Sequence, residues 1–573
     1  MTLVADIETN GLLLDVDKFW VGITYCLETK EEKVYHDAYK MVEDLNKAET
    51  VVGHNWIGYD SPTLTKLTGI PLTSKVIDTL TLSKLAYYNK DKSFSHSLDA
   101  HGERLGYKKG YHSDWSKYSS EMETYCKRDV QVTVKLYQHL KNKTQSWLPD
   151  EALQLEQDVQ RIVVQQYLNG WKLDIKKARE LHVELVQELE EAERILFETF
   201  APLFLPDGKS KTPAKTFTRL GITTSGEYQP IKLTTFNPGS GLHIVWWVDK
   251  LYGKQDWLKT DKGNPKTDAE TLFDMFEDKV WAKPLLHYME VKKLLGQLAE
   301  GDKAWLKLVG SDGRLHGSAD ILGAVTGRFT HNNPNMAQVP SSRAYKGKES
   351  RSLFCVEKGY KLVGCDASGL ELRTLSHYLA RYDGGSYGRI LLESDIHSAN
   401  QEAAGLPTRD NAKTFIYGFL YGAGDAKIGK IVNGTSKQGK ELKTKFLAKT
   451  KGLSQLSEAV KSAAKKGYLR GLTGRRLYVR SPHSALNTLL QSAGAYVMKY
   501  YVVELDRLLT KKNIDYKFVG NIHDEVQIEV KEEQAVEVSQ YCVEVFATIT
   551  EQLSFRCKLE GESSIGINWA DTH

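Results

Sequence analysis

Residues 518–530 constrain the fold most, because they are typical of a strand, a tight turn and a second strand in which apolar and polar residues alternate. The turn carries His523, Asp524 and Glu525. An acid-rich hairpin tip is ordinarily a solvated surface feature, so this segment alone indicates a structure but no function.

A second acid follows an apolar run. Residues 361–366 predict a strand that ends at Asp366, and residues 370–382 predict a helix with leucines at helical spacing. An acid at a strand end is a common active-site position, and it is equally often a helix N-cap. This pattern leaves both interpretations open.

A third pattern is a stripe along a helix that we predict to begin with Thr408 or Asp410 as its cap. Four side chains recur every four residues and form one slanting stripe: Arg409, Lys413, Tyr417 and Tyr421. A core stripe would carry Leu or Phe, and a solvated stripe would not carry two Tyr. Two cations followed by two phenols suit a nucleotide, with cations for a triphosphate and rings for a base and a sugar.

Acidic residues also lie near the N-terminus. Residues 4–9 predict a short strand, in which Asp6 and Glu8 point to one face. Two adjacent carboxylates repel each other unless a cation lies between them. A pair of this kind is usually a solvated strand face when it stands alone.

Three further residues extend this acidic group. Asp60 follows the strand-like run Val51-Val52 and lies near a predicted helix start. Tyr125 and Asp129 are four apart in a helical stretch, so they share one face. Each pattern alone occurs often by chance.

Composition and charge bound the class of protein. A length of 573 residues predicts two to four domains, and 41% hydrophobic with 26% charged residues excludes wholesale disorder. The chain has no apolar run long enough for a membrane span, and its first residues lack the basic segment of a signal peptide. Six scattered Cys without a CxxC pair indicate a reduced, cytosolic compartment and argue against a disulfide framework or a zinc site.

The formal net charge of +4 is unevenly distributed. Residues 1–150 carry a net charge of −2, residues 151–350 carry 0, and residues 351–573 carry +6. Within the last block, residues 411–480 hold 16 Lys and Arg against 3 acidic residues, a net charge of +13. Such a region is typical of a solvated surface or of a surface that binds a polyanion. The motifs favour a surface that binds a polyanion.

The residue pattern divides the chain into three zones. The first 150 residues or so alternate apolar runs with helical stretches, and residues from about 320 onward mix strands with helices. The zone between them predicts long Glu-rich helices over 151–168 and 175–200. Residues 201–240, rich in Pro, Thr, Lys and Gly, predict a long loop or a small insertion. We place a domain boundary at residues 147–150.

The N-terminal residues together, in this order, resemble the DEDD-type 3′–5′ exonucleases with the tyrosine variant of the third motif. The resemblance implies two divalent metal ions held by Asp6, Glu8, Asp60 and Asp129, and a catalytic Tyr125 that orients the attacking water. A pair of metal ions about 3.5–4 Å apart generates a nucleophile and relieves charge on the leaving oxygen. Hard oxygen ligands suit Mg²⁺, for which Mn²⁺ can substitute.

The other three patterns, in their order, resemble motifs A, B and C of family A DNA polymerases, and the match is closer still to the replicative polymerases of T-seven-like bacteriophages. The resemblance covers nearly the whole chain. The stretches that carry it are Asp366-Ala367-Ser368-Gly369-Leu370-Glu371-Leu372-Arg373, residues 409–424, residues 481–495, His523-Asp524-Glu525, and Thr326-Gly327-Arg328 with Pro334, Asn335 and Gln338.

The resemblance implies an α/β multidomain protein. An RNase H-like 3′–5′ exonuclease domain over residues 1–150 would precede a right-hand polymerase domain over residues 151–573. The polymerase domain would be divided as follows: thumb about 151–320 with the short insertion 201–240, palm about 321–400 and 476–573, and fingers about 401–475.

The resemblance also implies roles at the polymerase site. Asp366 and Asp524 would be catalytic and bind two Mg²⁺, which activate the primer 3′-OH and stabilise the leaving pyrophosphate. The dNTP-binding residues would be Arg409, Lys413 and His397 on the triphosphate, Tyr417 against the sugar, Tyr421 stacked at the insertion site, and Glu371 against the 2′ position.

Primer and template would be held by three further residues. Arg328, Gln491 and His523 would read base-pair shape from the minor groove, whose universal acceptors report geometry without sequence. The basic stretch 411–480 would face phosphates and give salt-sensitive binding.

The resemblance also implies partners and a compartment. We expect primer-template DNA, dNTPs, a phage helicase/primase and a single-strand binding protein as partners, in the host bacterial cytoplasm and away from membranes.

T-seven-like polymerases carry a long thumb insertion that captures host thioredoxin. Residues 201–240 are shorter than that insertion and hold five basic residues, so we expect no such use of thioredoxin here: Lys209, Lys211, Lys215, Arg219 and Lys232.

Three alternatives compete with a phage replicative DNA polymerase that proofreads. A single-subunit RNA polymerase shares two catalytic Asp and a fingers Lys, but Glu371 and the exonuclease residues disfavour it. A DNA-binding scaffold with decayed sites is disfavoured by the six intact metal-site acids. The third alternative is a DNA-binding protein in which only the exonuclease is active.

Overall fold

The computed structural model describes residues 1–90, 93–212, 219, 221, 226–260 and 262–573. The chain divides into two compact units, of which the first comprises Met1–Lys172, His316–Ser342 and Phe354–His573, and the second comprises Leu173–Leu315 and Arg343–Leu353. All candidate site residues lie in the first unit. The boundary expected at residues 147–150 stays a prediction.

The first 147 residues form a five-stranded sheet with helices. Its elements are β1 (Thr2–Thr9), β2 (Phe19–Cys26), β3 (Glu32–Tyr35), α1 (Ala38–Lys47), β4 (Thr50–Gly53), α2 (Asp60–Thr68), β5 (Lys75–Asp78), α3 (Thr79–Ala86), α4 (Leu98–Arg104) and α5 (Ser120–Thr144). The strand order is β3-β2-β1-β4-β5, so the predicted strand that carries Asp6 and Glu8 lies at the centre. The strands expected around Val51 and Val76 are also confirmed.

Side-chain alternation along β1 decides which face holds the acids. Leu3, Ala5 and Ile7 pack into one apolar cluster with residues of α1 and α2. Val4, on the opposite face, packs with residues of α5. Because every second residue of a strand shares a face, Asp6 and Glu8 lie on the α5 side of the sheet.

The next part of the chain is mainly helical. Its elements are α6 (Asp150–Asn169), β6 (Trp171–Leu173), α7 (Ile175–Thr199), β7 (Leu203–Pro206), β8 (Ile231–Thr234), α8 (Gly241–Tyr252), α9 (Ala269–Phe276), α10 (Ala282–Leu295), α11 (Trp305–Leu308) and β9 (Arg314–Leu315). The helices predicted over 151–168 and 175–200 are confirmed as α6 and α7. Within the predicted insertion, β7 and β8 pair as an antiparallel hairpin. Residues 213–218, 220 and 222–225, with Lys215 among them, lie outside the described residues.

The C-terminal part combines a four-stranded sheet with many helices. Its elements are β10 (Ser318–Asp320), β11 (Thr330–Asn332), α12 (Gly347–Ser352), β12 (Phe354–Cys355), β13 (Tyr360–Ala367), α13 (Leu370–Asp383), α14 (Ser386–Glu393), α15 (Ile396–Ala404), α16 (Arg409–Leu420), α17 (Asp425–Lys430), α18 (Ser436–Lys449), α19 (Leu453–Ala464), β14 (Tyr468–Arg470), β15 (Arg476–Tyr478), α20 (Ala485–Lys511), β16 (Tyr516–Ile522), β17 (Glu525–Lys531), α21 (Ala535–Gln552) and β18 (Gly561–Gly566). The sheet order is β16-β17-β13-β18, and β16 and β17 form the hairpin predicted from residues 518–530.

A buried charge network fixes the segment before Arg328. Glu156 accepts hydrogen bonds from Lys499 Nζ (2.6 Å), Arg475 Nη1 (3.2 Å) and the Tyr496 hydroxyl. Lys499 also donates to the backbone oxygen of Ile321 (2.9 Å). Removal of one partner from such a network typically costs about 3–5 kcal/mol, because a buried charge is left unpaired. The network therefore joins α6, α20 and the chain segment from residue 321 onward in one rigid arrangement.

None of the helices in the described ranges is both long and apolar enough to cross a membrane.

Candidate active sites

The sheet register places the two acids predicted from the C-terminal half beside each other. Asp366 lies near the end of β13, directly opposite Glu525 of β17. Asp524 occupies the two-residue turn between β16 and β17, and its backbone oxygen accepts a hydrogen bond from the Ala367 amide (3.0 Å). We call Asp366, Asp524 and Glu525 the C-terminal carboxylate site.

Burial and neighbouring carboxylates raise the pKa of Asp366 and of Asp524. Burial raises the pKa of Asp366 to about 7, and the neighbouring Asp524 and Glu525 add to the rise. Burial and then Glu371 raise the pKa of Asp524 to about 6. No Lys or Arg forms an ion pair with Asp366 or Asp524 in the ranges that the structure describes. Such a group of neighbouring carboxylates, two half-buried and one buried, fits a divalent cation.

Two residues of this site were missed by the sequence analysis. His573 Nδ1 lies 2.9 Å from Glu525 Oε2, and potential ligand atoms of Asp366, Glu525 and His573 lie within 4.8 Å of one another. Trp569 donates an indole hydrogen bond to Glu525 Oε1 (2.5 Å). These contacts join positions more than 40 residues apart, and no local pattern marks them.

The predicted stripe lies on α16, whose N-cap is Thr408. The Thr408 side chain accepts a hydrogen bond from the Asn411 amide (3.0 Å), whereas Asp410 lies in the first turn and is not the cap. Ala412, Phe415 and Ile416 are buried on the inner face of α16. The stripe therefore remains on the open face, with Lys413 and Tyr421 exposed and Tyr417 half-buried.

Asp395 holds the first cation of the stripe. Arg409 donates to both carboxylate oxygens of Asp395, through Nε (2.6 Å) and Nη2 (3.1 Å). Asp395 also caps α15 through a hydrogen bond from the His397 amide (3.1 Å). The His397 ring lies 6.5 Å from the Tyr417 ring, centroid to centroid. The structure thus brings His397 and Arg409 to one acid that the sequence analysis did not consider, with the Tyr417 ring beside His397.

Glu371 connects the stripe to Arg328. Its Oε1 accepts a hydrogen bond from the Tyr421 hydroxyl (2.7 Å) and lies 3.5 Å from Arg328 Nη2. Arg328 and His523 line one small cavity of about 30 Å³. These four predicted residues therefore lie in one neighbourhood beside the carboxylates.

Gln491 lies half-buried on α20. One helical turn earlier, Asn487 donates a hydrogen bond to the backbone oxygen of Tyr421 (3.1 Å). Because residues four apart share a helix face, Gln491 lies on the α20 face that contacts the end of α16.

The N-terminal acids also converge, from three elements. The amide of Ile7 in β1 donates to Asp60 Oδ1 (3.2 Å), and α5 carries Tyr125 and Asp129. Burial raises the pKa of Glu8 to about 10, and Asp6, Asp129 and Asp60 add to the rise. Burial and then Asp129 raise the pKa of Asp6. We call Asp6, Glu8, Asp60 and Asp129 the N-terminal carboxylate site.

Lys109 is the cation of this site, and the sequence analysis missed it. Its Nζ lies 2.7 Å from Asp129 Oδ2 and 4.8 Å from the centre of the Tyr125 ring. Burial raises the pKa of Asp129 to about 6, although Lys109 opposes the rise. Lys109 lies between α4 and α5, in a stretch without a distinctive pattern.

One carboxylate oxygen of this site lacks a hydrogen-bond partner among the residues that the structure describes. Asp129 Oδ1 is buried and forms no hydrogen bond in the described part of the chain. A buried, unpaired carboxylate oxygen is costly, and a metal ion is a partner that would satisfy it. The donor set is hard oxygen, so the residues fit Mg²⁺ or Mn²⁺.

Asp78 shapes the loop that leads to Asp60. Its carboxylate accepts hydrogen bonds from the amides of Asn55 (3.0 Å), Ile57 (3.0 Å) and Leu80 (2.9 Å). Asn55 adopts a left-handed conformation with φ of 58°, and a Cβ on Gly58 would lie 2.2 Å from the Asn55 side chain. This tight loop sets where α2 begins and hence where Asp60 points.

Comparisons with known proteins agree on one family. A family model described as DNA polymerase family A matches residues 215–571. The DNA-directed DNA polymerases of Enterobacteria phage T3 and Escherichia phage T7 are each 35% identical to this chain, with 100% of both proteins covered in each comparison. DNA polymerase I of Pseudomonas aeruginosa is 28% identical over 59% of this chain and 39% of its own length.

A solved structure shows the same fold. The POL domain of Pol1 from M. smegmatis, in complex with DNA primer-template and dNTP, superimposes with a TM-score of 0.80 at 20% identity. The match covers 100% of this chain and 96% of the solved one. The α/β polymerase fold predicted from the sequence is therefore confirmed.

Proposed function

The chain belongs to DNA polymerase family A, and from this we propose that its C-terminal carboxylate site extends a primer with dNTPs while its N-terminal carboxylate site removes nucleotides from the primer 3′ end. The chain is a DNA-directed DNA polymerase related to those of phages. The proposal concerns which residues carry each reaction.

The juxtaposition of Asp366 and Asp524 carries the assignment of synthesis. Family A DNA polymerases use divalent metal ions. We assign two Mg²⁺ to Asp366 and Asp524 because these ions prefer hard oxygens and would relieve the burial and repulsion that raise the pKa of both carboxyls. When bound, a pair of such ions supplies charge neutralisation for phosphoryl transfer. Asp366 and Asp524 then orient the primer 3′-OH and the triphosphate in line.

The face of α16 would hold the incoming nucleotide. Arg409, Lys413 and His397 present cations and a ring nitrogen to the triphosphate, which favours charge-assisted hydrogen bonds. Tyr417 would lie against the sugar, and the Tyr421 ring would stack at the insertion position. Glu371, which accepts a hydrogen bond from Tyr421, would lie against the 2′ position and exclude a ribose hydroxyl.

Arg328, His523 and Gln491 would hold the primer terminus. Arg328 and His523 line the same small cavity, and Arg328 follows the segment that the Glu156 network supports. A guanidinium and an imidazole in the minor groove can donate to acceptors that every base pair presents. The basic region 411–480 would contact phosphates without regard to sequence.

The buried, unpaired oxygen of Asp129 carries the exonuclease assignment. Asp6, Glu8, Asp60 and Asp129 would hold two divalent ions, and the Tyr125 hydroxyl would orient the attacking water. Burial raises the pKa of Tyr125 to about 12, so the phenol stays protonated and can donate a hydrogen bond at neutral pH. Removal of mispaired 3′ ends would make this a proofreading site.

A metal titration tests both assignments in the unmodified enzyme. We expect primer extension and 3′ degradation of a labelled single strand to vanish in EDTA and to return with Mg²⁺ or Mn²⁺. Extension products must be complementary to the template and require all four dNTPs. Undiminished synthesis in EDTA would contradict the C-terminal assignment, and undiminished degradation would contradict the N-terminal one.

We further propose that the enzyme copies phage DNA in the host bacterial cytoplasm with a helicase/primase and a single-strand binding protein. It would not use thioredoxin, because the predicted insertion 201–240 is short. Product lengths on a primed circular template, measured with and without thioredoxin, test this point. A large gain in length with thioredoxin would refute it.

A further inference from the structure

Two neighbouring residues of α6 are polar and buried. Glu156 is 0% exposed and Gln157 is 1% exposed, on a helix that packs Leu155 and Val159 into the apolar core. Polar side chains at such depth are costly unless they are hydrogen-bonded. Because successive residues of a helix point about 100° apart, the two side chains reach different neighbours.

Glu156 faces α20 and the chain segment before it. Its carboxylate accepts hydrogen bonds from Lys499, Arg475 and Tyr496, and all three donors are buried. The Lys499 ammonium also donates to the backbone oxygen of Ile321 (2.9 Å). One carboxylate therefore fixes three side chains at the core of the first compact unit.

These side chains lie against both chain neighbours of Arg328. Gly327 has a φ of 83°, and a Cβ on it would lie 2.9 Å from Cε2 of the Tyr496 ring. On the other side, the Lys499 ammonium lies 5.7 Å from the centre of the Phe329 ring. The backbone of Arg328 is therefore enclosed on both sides by side chains of the buried charge network.

The Arg328 guanidinium stands at the end of a long side chain, so its place depends on that backbone. Its Nη2 lies 3.5 Å from Glu371 Oε1, and the residue lines a small cavity together with His523. A hydrogen bond needs donor and acceptor within a few tenths of an ångström of the ideal distance. A backbone shift of about 1 Å would therefore be enough to weaken what the guanidinium holds.

We infer that Glu156 is a positioning residue for the primer end: through Tyr496 and Lys499 it fixes Arg328, and so it sets how strongly a mispaired end is rejected. This inference rests on the proposed role of Arg328 in the minor groove. A paired end presents its acceptors at constant positions, whereas a mispaired end displaces them. A fixed guanidinium therefore favours the paired end, and a loosely held one loses that preference.

The test measures single-nucleotide extension from a paired and from a mispaired primer end. Every enzyme compared carries Asp6→Ala with Glu8→Ala, so that excision does not remove the mispaired end. Glu156→Gln keeps the shape of the side chain and removes the charge that fixes its three donors. Extension from the paired end should fall about tenfold, the range of one hydrogen bond, while extension from the mispaired end stays within about twofold. A merely structural role would lower both rates alike, and that result would overturn the inference.

Arg328→Ala separates the inference from the proposed function. The ratio of paired to mispaired extension should fall in this variant at least as much as in Glu156→Gln. The combination Glu156→Gln/Arg328→Ala should then extend the paired end as fast as Arg328→Ala alone, because the two residues act as one unit.

The outcomes of this comparison are distinct. An unchanged ratio in Arg328→Ala would refute the minor-groove role proposed for Arg328. If Arg328→Ala lowers the ratio but Glu156→Gln keeps it, the inference alone is overturned. Losses that multiply in the combined variant would overturn it as well.

Gln157 provides a matched control on the same helix. Its Nε2 donates to the backbone oxygen of Val76 (2.9 Å), and its Oε1 accepts from the Asp78 amide (2.7 Å), so it contacts β5 and not the segment around Arg328. Gln157→Met removes both hydrogen bonds at nearly constant volume. It should lower the melting temperature and keep the wild-type ratio. A loss of ratio as large as that in Glu156→Gln would trace the effect to a disturbed α6 and overturn the inference.

Tyr496→Phe keeps the test decisive if Glu156→Gln does not fold, since an unpaired buried charge is strongly destabilising. It removes one hydroxyl, while the ring against Gly327 and both ion pairs of Glu156 remain. The ratio of paired to mispaired extension should fall severalfold, because the ring is no longer tied to the carboxylate. A wild-type ratio in folded Tyr496→Phe would overturn the inference.

Discussion

The two carboxylate sites differ in how they balance their charge. At the C-terminal carboxylate site Asp366 and Asp524 are half-buried, and pKa values of about 7 and 6 leave them substantially ionised at neutral pH. At the N-terminal carboxylate site the acids are more enclosed, and Glu8 has a pKa of about 10. The comparison indicates that the N-terminal site depends more strongly on a bound cation for its charge state.

Their internal cations differ as well. Lys109 pairs with a proposed metal ligand, Asp129, inside the N-terminal site. Near the C-terminal site, Arg409 pairs with Asp395, which is not a proposed metal ligand, and this pair lies on exposed surface. Under the proposed assignments, Lys109 would compete with a metal ion for Asp129, whereas Asp395 would compete with the nucleotide for Arg409.

The largest expected effect is from Asp366→Ala. It should lower primer extension by at least about a thousandfold, because a ligand that positions the reacting groups is lost. Degradation of 3′-labelled single strands should stay within twofold of wild type, since the two sites share no residue. The check is to measure both rates in one preparation. A parallel fall in both would show that the sites are not independent.

The reverse separation is expected from Asp6→Ala with Glu8→Ala. Degradation of single strands should fall by about a hundredfold or more. Extension with correct dNTPs should be unchanged, and extension from a mispaired primer end should leave the mismatch in the product. Sequencing of the products gives the readout. Excision that survives in this variant would remove the N-terminal site from the proposal.

These two predictions rest on residues that the sequence could supply. Asp366 and Asp524 stand at a strand end and in a hairpin turn, and Thr408 carries a recognisable cap, so local patterns place them. Lys109, His573 and the partners of Glu156 have no such pattern. Each acquires its role only through contacts with distant residues, and single-sequence periodicity holds no information about those contacts.

Tyr417→Phe probes the nucleotide side of the C-terminal site alone. The Tyr417 hydroxyl would lie between the sugar and the charged triphosphate, and its loss should raise discrimination against dideoxynucleotides by roughly tenfold to a hundredfold, the range of a hydrogen bond to a charged partner. Incorporation of dNTPs and 3′ degradation should change little. Chain-termination assays at mixed dNTP and ddNTP give the ratio, and an unchanged ratio would contradict the position given to Tyr417.

Glu8→Gln tests whether the N-terminal carboxylate site depends on a bound cation for its charge state. Because the folded pKa of Glu8 is raised to about 10 from an ordinary 4.5, the folded state holds a proton that the unfolded state releases. Stability of the metal-free wild type should therefore decline as pH rises from about 5 toward 10. Thermal unfolding in EDTA should show Glu8→Gln level with wild type at pH 5 and about 2–4 °C more stable at pH 9. Excess Mg²⁺ should remove this difference in melting temperature. A difference that does not vary with pH would contradict the raised pKa of Glu8.

Asp395→Asn should have the smallest effect, because its ion pair with Arg409 is exposed and such pairs contribute little. Asparagine keeps an oxygen that can cap α15, where Asp395 accepts from the His397 amide, so the helix and His397 should stay in place. Only the charge that holds Arg409 is removed, and the guanidinium is then free for a triphosphate. We expect the KM for dNTP to fall by no more than a few fold while kcat and 3′ degradation stay the same. Asp395→Ala is the matched comparison, since it also removes the cap and should raise KM by displacing His397. A rise in KM for Asp395→Asn would mean that Asp395 positions Arg409 for the nucleotide instead of competing for it.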